Sequence, residues 1–532
     1  MGEAALEFDY VIVGAGSAGC AVAARLSEDP AVSVLLIEAG PRDTNPWIHI
    51  PVGYYKNIGN PKFDWCFNAE PDPGLGGRSI KFPRGKVLGG SSSINGLLYV
   101  RGQAEDFNTW RQLGNEGWSY DDVRPYFLRA EDQENGENEF HGKGGPLGVS
   151  NVRMNRPICD AFIEACIQAG IPENNDFNGE TQEGVGYYQF TTRNGRRCSA
   201  AQAYLKPARN RQNLTVETNI LVTHVVLKDG RAVGVEGLRE GAGLTYLARR
   251  EVIMSAGAIG SPHILQLSGI GKGEWLSDAG IDVVHELPGM GGNLQDHMQA
   301  KNIYKTNVTT LNDEVRNPLR KLKMGWDYLT TRSGPMTMAA SIVGFFARSL
   351  PELDRPDIQL NMQPLSADTP GDGLHDFSAF TGTTRQLRPH SRGEIRLRSK
   401  DPNEYPAIHM NYLDSQFDQQ VIVNALKLTR EVIKQPALKP FVVDEWKPGY
   451  DVQSDDEILQ YARETGNTTY HPVGTCKMGN DKLAVVDDQL RVHGIDGLRV
   501  ADASIMPVIT SGNTNAPSIM IGEKAADLIR GK

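Results

Sequence analysis

The sequence predicts an α/β protein, a Rossmann-like dinucleotide-binding domain joined to a second domain of helices and an antiparallel sheet. Three observations carry this. A strand, a glycine loop and a helix open the chain; a second strand ends in an acid; and strand-to-turn units recur mid-chain and near the C-terminus, separated by inserts of different pattern.

The opening unit reads Tyr10 to Val13, a short apolar run suited to a buried parallel strand, then Gly14, Gly16 and Gly19 in a G-x-G-x-x-G pattern. Gly14 permits the tight turn, Gly16 lets backbone approach a pyrophosphate, and Gly19 lets helix and strand pack closely. Ser17 lies inside this loop, and Ala18 to Leu26 suits a helix whose first N–H groups face phosphates. Val34 to Ile37 forms the second strand. Glu38 ends it about 20 residues after the glycines, where a carboxylate accepts both ribose hydroxyls.

Val225 to Leu227, the turn at 228–230 and Ala232 to Leu238 read as a hairpin. Glu251 to Met254 reads as a strand feeding the small-residue turn Ser255 to Pro262 and a helix from His263 to Leu267. Gly497 to Asp502 reads as a further strand ending in an acid. The last helix is expected over about Ala516 to Arg530, with Pro517 in its first turn. Between these units, 156–210 and 301–460 mix helices with alternating strands such as Gly393 to Arg398. The expected division is therefore a discontinuous nucleotide-binding domain over 1–155, 211–300 and 461–532, with a second domain over 156–210 and 301–460.

The bulk properties exclude several classes. A chain of 532 residues exceeds one core, and its 39% hydrophobic and 23% charged content is ordinary for a soluble globular protein. A net charge of -10 without a Lys/Arg block argues against a nucleic-acid partner. No apolar run reaches about 18 residues, so no transmembrane segment is expected. The N-terminus lacks the basic region and apolar core of a secretion signal. The six cysteines form no C-x-x-C pattern and suit reduced thiols, and the 11 histidines show no ligand spacing, so no metal is expected. The expected location is cytoplasmic, with peripheral contact with a membrane as the compatible alternative.

Longer motifs carry a resemblance. Phe82 to Gly96, Gly257 to Gly271, Tyr470 to Gly479, Arg499 to Pro507 and Gly512 to Pro517 resemble, in this order, signature segments of the glucose–methanol–choline (GMC) flavoenzyme oxidoreductase family. The resemblance spans 8 to about 525, and the text is most similar to the family's choline dehydrogenase-like and aliphatic alcohol dehydrogenase branches. It implies FAD as cofactor. It also implies flavin contacts from Trp65, Arg84, Val87, Gly90, Ser91, Asn95, Gly96, Val222, Ala256, Asp502, Ala503, Asn515 and Pro517. Some of these positions have a plainer reading of equal weight: Arg84 as a surface cation, Trp65 and Val222 as core, Ala256 and Gly257 as a tight strand-to-helix connection, Asp502 as a helix N-cap. In choline oxidase-like relatives a histidine in the G-G-x-S-S-H-N segment is bound covalently to flavin. Ile94 stands there in this chain, so non-covalent FAD is expected.

The chemistry follows. Oxidising an alcohol removes a proton from oxygen and a hydride from carbon. No side chain accepts the hydride, so the resemblance assigns it to flavin N5. The proton needs a base, and His471 is the candidate general base, with an ordinary imidazole value of about 6.5. Asn515 is expected to hold the substrate oxygen. His263 and His297 are expected to pack or hydrogen-bond. The expected reaction is oxidation of a primary alcohol to the aldehyde, with electrons passing to a quinone or other carrier. Two alternatives are an oxidase that passes them to dioxygen, yielding peroxide, and a hydroxynitrile lyase-like flavoprotein without net redox. Gly334 to Phe346, rich in Met, Ile, Val and Phe, is expected either to wall an apolar substrate pocket or to be core.

Overall fold

The computed structural model describes residues 6–339, 341–368 and 373–531. The nucleotide-type sheet is built from β1 (Leu6–Val13), β2 (Val34–Glu38), β3 (Leu214–Thr218), β4 (Leu221–Lys228), β5 (Arg231–Arg239), β6 (Ala242–Met254) and β7 (Leu498–Val500). Its order is β3-β2-β1-β6-β5-β4, with β7 on β6. The strands β3, β2, β1, β6 and β7 run parallel, whereas β4 and β5 add antiparallel strands beside β6. The register fixes the site. Val13 lies beside Ile37 and Met254, and Met254 beside Val500. The loops after four parallel strands therefore open at one edge, where such sheets bind ligands.

Helix α1 (Ser17–Leu26) covers β1 with a nearly all-buried run of small residues and packs against α3 (Asn515–Arg530). The hairpin turns on Asp229 and Gly230, both at positive φ, the backbone that an Asp-Gly turn of this kind requires. Helix α2 spans Gly257–Leu267 and begins six residues before the expected start. Pro262 suggested a start, because proline has no N–H to give a preceding turn. The carbonyl it leaves without a donor, that of Ala258, accepts from Thr475 Oγ1 at 2.6 Å, so the helix runs through.

The second sheet is antiparallel. Its order is Val442–Lys447, Met298–Thr306, Ala379–Gln386, Ile358–Gln363, Val343–Ala347 and Gly184–Tyr187, with Asn467–Thr468 paired beside Met298. The helix Gln416–Ile433 lies over it. Successive strand side chains point to opposite faces. Gln299, Lys301, Asn361, Gln363, Thr383 and Arg385 accordingly share the face turned to the central cavity. Phe380, Leu360 and Ile358 belong to the apolar core.

The stretch 334–346 does not wall that cavity. Met338, Ile342, Val343 and Phe345 are fully buried in one apolar cluster, and Ala339 and Phe346 in another. Ala340 lies outside the described residues. The physical reason is that Val343–Ala347 is an inner strand of the second sheet, flanked on both sides, so its apolar content serves packing.

Candidate active site

A cavity of about 1020 Å³ runs from the glycine loop to the second sheet. At its nucleotide end, Gly14 and Gly19 hold loop and strand in contact. A Cβ on Gly19 would fall 1.9 Å from the Gly14 carbonyl oxygen, and one on Gly14 would fall 2.4 Å from that of Ser255. Gly16 differs, since its nearest neighbour would stand 3.8 Å away, on the side open to the cavity. The backbone N–H groups at the start of α1 have no side-chain cap, which leaves a helix N-terminus available to an anion.

Glu38 lines the cavity, and its two oxygens accept from the N–H groups of Ala15 (3.0 Å) and Gly40 (2.9 Å). Burial pushes its carboxyl up to about 7. Each oxygen keeps a lone pair for a ligand hydroxyl. Val222, Ala256 and Ala503 line the same end. Asp502 lines it too, but its carboxylate is engaged by Gly257 N (2.9 Å), Ser261 Oγ (2.6 Å) and Ser504 N (2.8 Å). It ties α2 to the turn after β7, the capping role weighed against cofactor contact.

In the middle of the cavity lie Trp65, Arg84, Gly90, Ser91, Asn95 and Gly96. Gly90 abuts Gly16, since a Cβ there would fall 2.7 Å from the Gly16 Cα. Asn95 is pinned by Arg197, a residue that the sequence motifs passed over. The buried Arg197 guanidinium donates to Asn95 Oδ1 (2.6 Å) and to the carbonyls of Asn95, Ser92 and Ile48. Nothing in its sequence neighbourhood marks it, because its partners lie about a hundred residues away. Three expected cofactor residues, Gly19, Val87 and Pro517, are not among the cavity-lining residues, and Gly19 serves the loop-to-strand packing described above. Val87 is fully buried with Ile48, Phe63 and Ile94, and Pro517 is buried within α3. Both positions are packing sites, with Val87 supplying its carbonyl to Gly90 N at 2.7 Å.

His471 sits at the far end, 7% exposed, on a strained loop. Tyr470 before it has φ 66, the left-handed region that tyrosine rarely adopts. Three groups hold that turn, of which Thr468 and Asp296 are buried. Arg84 donates to the Tyr470 carbonyl (2.6 Å), Thr468 Oγ1 accepts from Tyr470 N (2.7 Å), and Asp296 Oδ1 accepts from His471 N (2.7 Å). Asp296 also accepts from Tyr412 and Thr468. Arg84 is thus a half-buried positioning cation in the cavity wall, and the surface reading falls.

The hydrogen bonds fix the imidazole's tautomer. His297 Nε2 lies 2.9 Å from the Leu387 carbonyl, which only accepts, so that nitrogen carries the proton. Burial pushes His297 down to about 3, so it is neutral and its Nδ1 is an acceptor. His471 Nδ1, 2.9 Å away, is therefore the donor. The His471 Nε2 lone pair is left facing the cavity, where Asn513 Nδ2 donates to it at 3.1 Å. Burial, then the neighbouring His297, Arg385 and Arg84, hold His471 well below the ordinary imidazole value. The neutral form is therefore favoured, unlike the unperturbed histidine expected.

Asn513 also corrects the sequence reading, which assigned Asn515 to the substrate oxygen. Asn515 is the first residue of α3, and its Oδ1 accepts from Ser17 Oγ at 2.8 Å, across the cavity wall from the glycine loop. Asn513 is the amide beside the base. The two stand one residue apart in Asn513-Thr514-Asn515, and Thr514, the N-cap, turns them to different neighbours. Among the described residues, Asn513 Oδ1 is buried without a hydrogen-bond partner, as are Thr383 Oγ1 and Arg385 Nε. All three residues line the cavity.

The donor set and shape fit FAD. A glycine loop under an uncapped helix start suits a pyrophosphate, Glu38 suits a ribose, and the 90–96 loop lines the same cavity as the His471 imidazole.

Comparison with known proteins agrees. A family model described as GMC oxidoreductase matches residues 8–299, and a second of the same family matches 389–522. Human mitochondrial choline dehydrogenase is 45% identical over 539 residues, covering 99% of this chain and 90% of that protein. The oxygen-dependent choline dehydrogenase of Brucella canis is 45% identical over 530 residues, covering 99% and 96%. Among solved structures, pyridoxine 4-oxidase from Mesorbium loti superposes with a TM-score of 0.90 at 32% identity, covering 99% of each chain. A formate oxidase variant from Aspergillus oryzae, studied for FAD modification, superposes with a TM-score of 0.92 at 27% identity, covering 100% of this chain and 99% of that one.

Proposed function

The chain belongs to the GMC oxidoreductase family, FAD-dependent enzymes acting on CH–OH donors, and on that premise we propose that His471 is its general base toward a primary alcohol. FAD, when bound, supplies the acceptor for the hydride. The observation that carries the assignment is the fixed tautomer, which points the His471 Nε2 lone pair into the cavity beside Asn513. The alcohol proton passes to Nε2, while the Asn513 amide donates to the oxygen that gains negative charge. Holding base and donor in place before reaction contributes up to about 7–11 kcal/mol. Burial makes the protonated imidazole costly, so His471 waits in the form that accepts a proton. Ile94 at the position of the covalent histidine supports non-covalent FAD.

Mixing the holoenzyme with a primary alcohol without oxygen tests the reading. Bleaching of the flavin absorbance is expected, followed on adding air by little peroxide if a carrier is the natural acceptor. Absence of bleaching together with cyanohydrin cleavage would replace oxidation by the lyase reading. Acid precipitation should leave the yellow colour in the supernatant, and colour in the pellet would overturn non-covalent binding.

No helix among the described residues is long and apolar enough to cross a membrane. Peripheral contact is supported by the helix Pro318–Thr331. Leu319, Leu322, Trp326 and Leu329 form one stripe on it and are the four most exposed large hydrophobic side chains of the described residues, at 68–77%. The acids nearby, Asp313, Glu314 and Asp327, pair with Arg316, Arg156 and Lys323, leaving the charges of Arg320 and Lys321 for anionic headgroups. Co-sedimentation with anionic vesicles, lost in Leu322→Glu/Trp326→Glu, is the expected result. A dimer that the same substitutions dissociate, with no vesicle binding, would instead assign the stripe to a second copy. The six cysteines are unpaired, which favours a reducing compartment.

A further inference from the structure

The cavity-facing wall of the second sheet carries a cation that no residue pairs with directly among the described residues. Arg385 is 3% exposed, lines the cavity, and among the described residues its guanidinium makes no hydrogen bond or ion pair. A buried charge without a partner is costly enough that proteins seldom keep one for packing alone. The acid acting on it through space is Asp296, whose two oxygens are engaged by His471 N, Thr468 and Tyr412. Thr383, two residues earlier on the same face, has a buried hydroxyl oxygen that is also unpartnered. The carboxylates lining the cavity are Glu38, Glu240 and Asp502, from the nucleotide-type sheet and its loops.

The wall adjoins the base. Arg385 pairs in register with Gln299, and Met298 beside it pairs with Thr468, three residues before His471. Leu387, two residues past Arg385, supplies the carbonyl that fixes His297 and through it His471. A short substrate with its hydroxyl at His471 and Asn513 would therefore meet Arg385 and Thr383 with its other end.

We propose that Arg385 and Thr383 form an anion-recognising subsite, so that the alcohol this chain oxidises carries a carboxylate. The proposal rests on the general-base reading of His471 and adds the substrate class. One planar guanidinium matches the single charge and two oxygens of a carboxylate, and the threonine hydroxyl adds a donor. A quaternary ammonium alcohol such as choline, the substrate in the names of the dehydrogenases above, would place its positive charge against Arg385. Carboxylate binding also has a catalytic consequence. Arg385 is one of the charges that depress His471, so its neutralisation strengthens the base when substrate is present.

The test uses the FAD-loaded enzyme, a series of ω-hydroxyalkanoates of increasing length, the matching unbranched alcohols, and choline. The best hydroxyalkanoate should exceed its uncharged analogue in kcat/KM by about 10- to 100-fold. Arg385→Gln should bring that ratio close to one, and Arg385→Lys should keep part of it. Butanoate, which has no alcohol to oxidise, should bind and perturb the flavin spectrum, and Thr383→Val should weaken it several-fold. Failure of butanoate to bind the unmodified enzyme, or preference for choline or uncharged alcohols, overturns the proposal. An Arg385→Gln enzyme slowed equally with every alcohol overturns it too, and assigns the cation to the flavin. Butanoate binding without oxidation of any alcohol leaves the subsite standing and overturns the oxidation reading instead.

Discussion

The two ends of the cavity are built on opposite rules. At the nucleotide end, the polar groups that shape the loops already have protein partners. Glu38 is held by two backbone N–H groups and Asp502 by three donors, and in the middle of the cavity Asn95 is held by Arg197. At the second-sheet end, Asn513 Oδ1, Thr383 Oγ1 and Arg385 Nε have none among the described residues. A satisfied network holds its shape before the ligand arrives, whereas an unsatisfied one is completed by it. The first end is a rigid cradle for a ligand that stays, and the second is a site for one that comes and goes.

That contrast breaks first at His471. His471→Ala removes the group that takes the proton, and turnover should fall by about 10³-fold, within the range for general-base loss. The cradle is remote from it, so the variant should keep its flavin absorbance. Stopped-flow reduction and the visible spectrum measure the two separately. Loss of flavin with the rate would show that the ends are not independent.

The asparagine pair sharpens the comparison next. Asn513→Ala should slow flavin reduction by about 10²-fold, the scale of one lost donor to a developing oxyanion, with FAD retained. Asn515→Ala breaks the contact with Ser17 and should instead loosen FAD, with a much smaller effect on reduction. Reversal of that ordering would restore the assignment made from sequence alone.

His297→Phe keeps a ring in place and deletes the acceptor that fixes the His471 proton on Nδ1. A loss of about 10- to 100-fold in reduction is expected, as for groups that orient a catalytic imidazole. A merely structural role would lower stability without changing the pH profile, so both are measured.

What the sequence made legible follows the same division. The cradle works through backbone, and backbone sites need contiguous glycines and a strand-end acid, so Gly14, Gly16, Gly19 and Glu38 stand out in a one-dimensional text. The wall works through side chains at alternate positions of strands drawn from 299, 361 and 383–385, which no local pattern connects. Arg197 and Asp296 were missed for a similar reason, since their partners are distant in sequence. The apolar stretch 334–346 stayed open between pocket and core because an inner strand and a pocket lining have the same composition. Asn513 and Asn515 show the finest limit, where one helix start, set by tertiary packing, decides which of two amides meets the base.

The smallest expected effect is the pH dependence, and it joins the two ends. A base held below the ordinary imidazole value is deprotonated down to lower pH, so the acid limb of kcat/KM for an uncharged alcohol should lie below pH 6.5. Burial is the largest cause and survives any single substitution, which keeps the remaining shifts modest. Arg385→Gln removes one cation near His471, and protonation then costs less, so the limb should move toward higher pH. His263, pushed down to about 4 by burial alone, has no such partner in its causes, and its contribution to acid stability should not change in that variant. An acid limb that stays in place in Arg385→Gln would mean that the cation does not reach the base, and the wall and the proton acceptor would have to be treated as separate devices.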